Sequence, residues 1–344
     1  MRALITITIL SLILTACTTP PTPRIAHTFA PLGESNVRSS ITLAPGTALI
    51  GTEETADIYK TTDNGQTWRK TTDAGDLYDA ADIRNFIRAH DGSLYATTSE
   101  PALILKSTDE GESWSVVARP KASRTVALTQ LDNGVIIAGL RRSENNRISI
   151  IRTEDHFQTF EHIPVSNTLP RQNTTCLIDL GQAVVLTGVG FEASGKIFKS
   201  TDAGKTWRQT ADFPDARDLM HFFKTDEAIY VTASGIATLY RSEDQGETWH
   251  KHHQAFDKGF LGDTTTITLN NQPAIVMTAT DQSQKPFRHL LLISTDNAHT
   301  WQEWIQLATD NTGGASNIET LSPNTLITGT GNHATQGYAY TIRW

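Results

Sequence analysis

Four arginines stand at comparable points of the sequence, each near the start of a β-patterned run: Arg38, Arg84, Arg124 and Arg217. A guanidinium group presents its N–H donors in a planar fork that binds carboxylate, sulfate or phosphate through paired hydrogen bonds. If the fold brings these run starts together, the four side chains form a receptor for an anion. The alternative is that each pairs with a nearby acid, such as Asp82 or Asp218, because buried charges are usually paired.

A repeated phrase predicts the architecture that would bring the arginines together. The pattern Ser/Thr-x-Asp-x-Gly-x-Ser/Thr-aromatic occurs, exactly or with substitutions, six times. Its copies span Thr61–Trp68, Ser107–Trp114, Thr153–Phe160, Ser200–Trp207, Ser242–Trp249 and Ser294–Trp301. A period in the forties, with strand-like sequence between the copies, is typical of a β-propeller in which each repeat forms one blade.

Each phrase has the composition of a turn between two antiparallel strands. The Asp carboxylate and the leading hydroxyl accept backbone N–H groups, and the Gly supplies a left-handed backbone position. The final Trp is large enough to wedge between adjacent sheets. Two copies differ from the others. The third has Phe157 in place of Gly and Phe160 in place of Trp, and the sixth has Ala298 in place of Gly. We expect these substitutions to strain or reshape their turns.

The phrase resembles the Asp-box, or bacterial neuraminidase repeat, and the chain is similar to that family of β-propellers from about residue 37 to the end. The family includes sialidases, xyloglucan-cleaving glycosidases, photosystem II assembly factors and sorting receptors. The resemblance therefore implies an all-β propeller and leaves both enzymes and binding proteins open.

The sequence predicts one propeller domain over residues 24–344, with seven four-stranded blades; six blades are the alternative. Three β-patterned runs follow the last phrase, at Asn317–Leu321, Thr325–Gly329 and Tyr338–Trp344. They would form a last blade that lacks its outer strand. The run Ile25–Ala30 precedes the first complete blade and could supply that strand. Such a closure joins the two chain ends and removes exposed sheet edges.

The N-terminal residues predict export and a lipid anchor. Met1-Arg2 is followed by a mainly apolar run of twelve residues, Ala3–Leu14, which is too short to span a bilayer as a helix and fits a signal peptide. Leu14-Thr15-Ala16-Cys17 is similar to a bacterial lipobox. We therefore expect residues 1–16 to be a signal peptide, Cys17 to be lipidated, and residues 17–23 to be a Pro/Thr tether. The resemblance implies a bacterial envelope protein, with the outer membrane as its location.

Charge and metal-binding residue types narrow the class of partner. The formal net charge of −8 argues against nucleic acid, which requires a basic surface. Cys176 lies in a hydrophobic run and is predicted to be a buried, inert thiol. The cluster His250, His252 and His253 matches no firm ligand spacing, so no metal or other cofactor is predicted.

Two functions remain open. A sialidase would need, besides arginines, a Tyr nucleophile activated by a Glu and an Asp acid/base. Tyr78 is the exposed candidate, and the acids predicted on the same face are Glu53, Glu100, Glu144 and Glu192. The Arg-Ile-Pro sequence that opens sialidase domains is only half matched, at Pro23-Arg24-Ile25-Ala26. The sequence therefore favours a lipid-anchored scaffold for a protein client or an anionic ligand. The alternative is a sialidase-like glycoside hydrolase acting on an anionic glycan.

Overall fold

The computed structural model describes residues 20–31, 36–143, 147–167, 172–190, 194–310, 313–332 and 335–344. Cys17 and the apolar run before it lie outside the described residues, as do Glu144 and Glu192. Within the described part of the chain, no helix has the length and apolar character that a bilayer crossing requires.

The described residues form β-strands and one short helix. The first strands are β1 (Arg24–Phe29), β2 (Val37–Ala44), β3 (Thr47–Thr52), β4 (Asp57–Thr61) and β5 (Arg69–Asp73), followed by helix α1 (Ala74–Tyr78). Next come β6 (Asp82–Arg88), β7 (Leu94–Ser99), β8 (Ile104–Ser107), β9 (Ser115–Ala118), β10 (Ala122–Gln130), β11 (Ile136–Ser143), β12 (Ser149–Thr153) and β13 (Glu161–Pro164). The central strands are β14 (Asn173–Gly181), β15 (Val184–Gly190), β16 (Gly195–Ser200), β17 (Arg208–Phe213), β18 (Ala216–Lys224), β19 (Ile229–Ser242) and β20 (His250–Leu269). The last are β21 (Gln272–Asp281), β22 (Phe287–Ser294), β23 (Gln302–Asp310), β24 (Gly314–Ser322), β25 (Thr325–Asn332) and β26 (Thr335–Arg343).

The strands form antiparallel meanders around a ring of inner strands. Each inner strand contacts the next in the order β2, β6, β10, β14, β18, β20 and β24, and β24 contacts β2 again. A closed ring of such meanders is a β-propeller. The all-β propeller that the sequence predicts is therefore confirmed.

The hydrogen bonding does not divide the described strands into seven separate sheets. It gives three four-stranded sheets, one sheet of eight strands and one of six. The eight-stranded sheet arises because β10 pairs with β7 at Arg124 and Ser99. The six-stranded sheet arises because β20 is continuous, pairing first with β19 and then with β21.

Strand β1 closes the ring as the outer strand of the last meander. It pairs antiparallel with β26, from Arg24 opposite Arg343 to Phe29 opposite Ala339. The ring of Phe29 also lies 5.2 Å from that of Tyr59 and 5.8 Å from that of Trp68. The predicted closure by the N-terminal run is confirmed, with the strand beginning one residue earlier than expected.

The repeated phrases form one type of turn in all six copies. In the first, the Asp63 carboxylate accepts from the Thr67 backbone N–H at 2.9 Å and from the Thr67 hydroxyl at 2.5 Å. The Thr61 hydroxyl accepts from the Gly65 N–H at 3.0 Å. The other five copies have the same bonds. The predicted chemistry of this turn is confirmed.

The two substituted turns are not reshaped, so that part of our expectation was wrong. Phe157 and Ala298 keep the left-handed backbone, with φ of 67° and 70°. The Phe157 side chain is buried, with its ring 5.7 Å from that of Tyr95 in the preceding meander. Packing against the neighbour stabilises a conformation that non-glycine residues rarely adopt.

Adjacent meanders are also joined by buried cations. Lys60 of β4 donates to the backbone carbonyl of Glu110 in the next turn, at 2.8 Å, and Lys199 of β16 donates to that of Gln245 at 2.9 Å. Arg152 makes the equivalent bond to the Ala203 carbonyl at 2.8 Å. Because the acceptor belongs to the following meander each time, these bonds fix the relative position of neighbouring sheets.

Candidate functional site

Three of the four predicted arginines lie close together at the end of the ring opposite the repeated turns. Arg38, Arg84 and Arg124 are at or near the beginnings of β2, β6 and β10. They are close enough that Arg38 and Arg124 both act to lower the pKa of the Arg84 guanidinium. The predicted convergence is therefore observed for these three side chains.

The Arg84 side chain is buried, with 6% of it exposed. Its Nη2 donates to Asp82 Oδ2 and lies 3.4 Å from Glu53 Oε1, while Asn36 Nδ2 donates to Glu53 Oε2 at 3.0 Å. Burial, and next Arg38, lower the pKa of Arg84 to about 10, although both acids oppose the shift. Glu53, which the sequence predicts as a candidate acid on this face, is thus a buried partner of Arg84.

The Arg124 side chain is more accessible than that of Arg84, with 21% of it exposed. Arg124 Nη2 lies 2.9 Å from Glu100 Oε1 on the neighbouring meander. Arg38 is half-buried, and among the described residues no carboxylate lies within ion-pair distance of it. Arg38 therefore contributes a positive charge that the described acids do not directly neutralise.

Two further arginines extend the group, and the sequence analysis missed both. Arg141 and Arg142 lie near the end of β11, which pairs with β10 so that Arg141 is opposite Arg124. Burial, Arg124 and Arg142 lower the pKa of Arg141, and Asp218 acts in the other direction. The adjacent arginines at the end of a second strand were the available signal. We call Arg38, Arg84, Arg124, Arg141 and Arg142 the arginine mouth.

Arg217 is the predicted residue that does not join the group. Its side chain is 70% exposed, and its Nε donates to Asp218 Oδ2 at 2.9 Å. The paired alternative considered for this residue is therefore the observed one. Asp218 itself is close enough to influence Arg141, so the pair lies beside the arginine mouth.

The candidate nucleophile Tyr78 and His252 are engaged in hydrogen bonds with backbone carbonyl groups, and Cys176 is buried. The Tyr78 hydroxyl donates to the backbone carbonyl of Trp114 at 2.6 Å. Cys176 is buried, and burial raises the pKa of its thiol to about 12. His252 Nε2 is 2.8 Å from the carbonyl oxygen of Ala298. In the described part of the chain, no group of three or more His, Cys, Asp or Glu side chains is arranged to hold a metal ion.

Comparison with known proteins identifies the family. The family model described as the DUF6242 beta propeller domain matches residues 30–269, which is more than half of the chain. The chain belongs to this β-propeller family. No curated protein matches the sequence.

Solved structures of the same fold include proteins of different kinds. A structure described as YCF48 bound to D1 peptide is 18% identical with a TM-score of 0.64, over 92% of this chain and 94% of that one. YCF48 from Cyanidioschyzon merolae is 14% identical with a TM-score of 0.61, over 93% and 98% of the two chains. Virginiamycin B lyase from Staphylococcus aureus is 13% identical with a TM-score of 0.63, over 94% and 99%. At these identities the likeness shows the fold alone.

Proposed function

We propose that this protein is a binding scaffold whose arginine mouth holds an acidic segment of a protein client. The observation that carries the proposal is the convergence of Arg38, Arg84, Arg124 and Arg141, of which Arg38 has no carboxylate partner among the described residues. Guanidinium groups that lower one another's pKa gain free energy when an anion enters between them. A client carboxylate is such an anion.

A protein client is supported by the kind of ligand that a relative of the same fold binds. YCF48 is described in complex with a D1 peptide. The present chain shares the propeller over nearly its whole length, so a surface for an extended peptide fits its architecture. We propose a protein client on this basis, and a free anionic glycan as the weaker candidate.

The glycoside hydrolase alternative has less support from the geometry. Its nucleophile would be Tyr78, but that hydroxyl is bonded to a backbone carbonyl, and no acid is within hydrogen-bond distance of it among the described residues. A tyrosine nucleophile requires an adjacent base. We therefore retain the hydrolase only as an outcome of the test below.

The remaining sequence-based interpretations belong to the same proposal. We propose that the repeated turns are Asp-boxes and that the ring is best counted as seven blades, with β19 and β20 each contributing to two strand positions.

We also propose that Cys17 carries a lipid and tethers the propeller to the bacterial envelope, in the outer membrane. Cys17→Ser should release the full-length protein from membranes. Retention after a salt wash would contradict the anchor.

Photo-crosslinking in intact cells tests the scaffold directly. A crosslinking residue at position 142, the exposed member of the mouth, should capture a client through an acidic segment. The same residue at position 66, an exposed site on the opposite face, should not capture it. Identical products from both positions, or none from position 142, would contradict the proposal. Turnover of a fluorogenic sialoside that is lost in Tyr78→Phe would favour the hydrolase instead.

A further inference from the structure

A second cationic feature lies on the face opposite the arginine mouth, where β1 and β26 pair. A cavity of about 450 Å³ opens there. Its lining includes Arg24, Arg343, Asn64, Ser322, Asn324 and Thr325. These side chains offer two guanidinium groups, two amides and two hydroxyls, and the residues lining the cavity include no Asp or Glu.

Arg24 and Arg343 are directly opposite each other on adjacent strands. Like charges in this arrangement are destabilising unless an anion lies between them. The described carboxylates include none within ion-pair distance of either residue. The two guanidinium groups therefore belong to cross-strand neighbours, and no described carboxylate pairs with either of them.

Two other cross-strand cation pairs each have a glutamate partner, which the pair Arg24 and Arg343 lacks among the described residues. Lys60 is opposite Arg69, and both bind Glu112 of the next turn, at 2.8 Å and 2.5 Å. Lys199 is opposite Arg208, and both bind Glu247 in the same way, at 2.7 Å and 2.5 Å. Both glutamates are the sixth residue of their eight-residue phrase.

The turn beside Arg24 and Arg343 has a neutral residue at that place. It is the first phrase, whose Asn64 lines the cavity and whose sixth residue is Gln66. The Gln66 amide donates to the Asp63 carbonyl at 2.8 Å, within its own turn. The charge that the other two cation pairs receive from the protein is absent from this phrase.

We propose that this cavity binds a phosphate group carried on a small polar molecule or a lipid headgroup. Phosphate oxygens can accept hydrogen bonds from both guanidinium groups, as the Glu112 carboxylate does from Lys60 and Arg69. The remaining phosphate oxygens can accept from the amides and hydroxyls that line the cavity. The volume exceeds that of a phosphate alone and leaves room for a substituent of glycerol size. The site is separate from the arginine mouth and stands without it.

The tether passes the rim of the same cavity. Thr22 lines it, and the Trp304 indole donates to the Pro21 carbonyl at 3.1 Å. Thr22 follows Cys17 by five residues, a length of chain that could span about 15 Å if it were extended. If Cys17 carries the proposed lipid, the cavity is held within reach of phospholipid headgroups; this one source of phosphate rests on the anchor proposal.

Binding of glycerol 3-phosphate to the full-length protein in detergent tests the site. We expect saturable binding by calorimetry and a rise in melting temperature, since a ligand that binds only the folded state stabilises it. Arg24→Gln with Arg343→Gln should weaken binding about tenfold or more, because two charge-assisted contacts are lost. The ligand-free variant should melt no lower than the wild type, since a like-charge pair has been removed.

Two control variants locate the binding. Arg69→Gln, an exposed arginine on the same face that is paired with Glu112, should leave the affinity unchanged. Arg38→Gln with Arg124→Gln should also leave it unchanged. Equal binding by the Arg24/Arg343 variant, or loss only in the Arg38/Arg124 variant, would overturn the proposal.

Vesicle flotation distinguishes the two sources of phosphate. Full-length Cys17→Ser protein is floated with phosphatidylglycerol vesicles, with and without the Arg24 and Arg343 substitutions. Flotation that depends on both arginines identifies a headgroup. Binding of glycerol 3-phosphate without flotation identifies a free molecule. Both outcomes support the site, whereas absence of both kinds of binding contradicts it.

Discussion

The ammonium group of Lys60 lies 2.8 Å from the backbone carbonyl oxygen of Glu110, across the boundary between two meanders. Lys60 is 7% exposed, so its charge is satisfied almost wholly by the neighbouring turn. The bond therefore couples the position of one sheet to the turn of the next.

Lys60→Met should destabilise the protein by about 1–3 kcal/mol, because the Glu110 carbonyl and the Glu112 carboxylate lose their shared charged donor. The measurement is the midpoint of urea unfolding. Arg69→Gln is the control, since Arg69 binds the same Glu112 from an exposed position and should cost less. Equal effects of the two substitutions would show that the contact with the Glu110 carbonyl is unimportant.

The repeated turns should make the protein sensitive to acid. The pKa values of Asp63, Asp109 and Asp244 are lowered to about 2, first through the hydroxyl and then the backbone N–H four residues on. A carboxylate whose folded pKa is depressed contributes stability that is present above its ordinary pKa, near 3.8, and is lost as pH falls through the folded value. Melting temperature should therefore fall between about pH 4 and pH 2.

Asp109→Asn should reduce that pH dependence while keeping the shape of the turn. The amide cannot titrate, so the melting temperature of the variant should fall less steeply below pH 4 than that of the wild type. Glu161→Gln, at the exposed start of β13, is a control for general surface charge. An unchanged slope in Asp109→Asn would contradict the assignment to the turns.

The closing strand should be necessary for cooperative unfolding. Deletion of residues 24–29 removes the partner of β26 and exposes its edge. We expect a broadened or two-step thermal transition, and aggregation on refolding. Phe29→Ala, which removes the ring contacts with Tyr59 and Trp68 but keeps the strand, should lower the melting temperature but keep a single transition. An unchanged melting curve for the deletion would mean that the ring closes without β1.

Arg84 should be required for folding as well as for charge at the mouth. Arg84→Met leaves Asp82 and Glu53 buried without their cation, and breaking a buried ion pair costs about 3–5 kcal/mol. Unfolding in urea measures the loss. Replacing Arg84, Asp82 and Glu53 together by apolar residues should recover part of it. No destabilisation by Arg84→Met would show that solvent already screens this group.

The hydrogen bonds of the turns and the ring of strands could be predicted from the sequence. The turn bonds join residues of one eight-residue phrase, and the spacing of the phrases predicts the propeller. The arginine mouth was predicted in part, since strand starts meet in any propeller. Arg217 does not join the mouth, because its guanidinium group donates to Asp218, its neighbour in sequence. The contacts of Lys60 and Arg152 with the next turn depend on how two sheets are aligned, which no single repeat encodes. Phe157 kept its turn because Tyr95 packs against it from the preceding meander.

The affinity of the arginine mouth for a defined acidic peptide tests the central claim most directly. Fluorescence anisotropy would compare a glutamate-rich peptide with its glutamine counterpart, on the wild type, on Arg38→Gln with Arg124→Gln, and on Arg217→Gln. We predict that only the acidic peptide binds, that the affinity falls with salt, and that the double substitution weakens it about tenfold or more while Arg217→Gln changes it little. Equal binding of the two peptides, or full affinity in the double variant, would contradict the account.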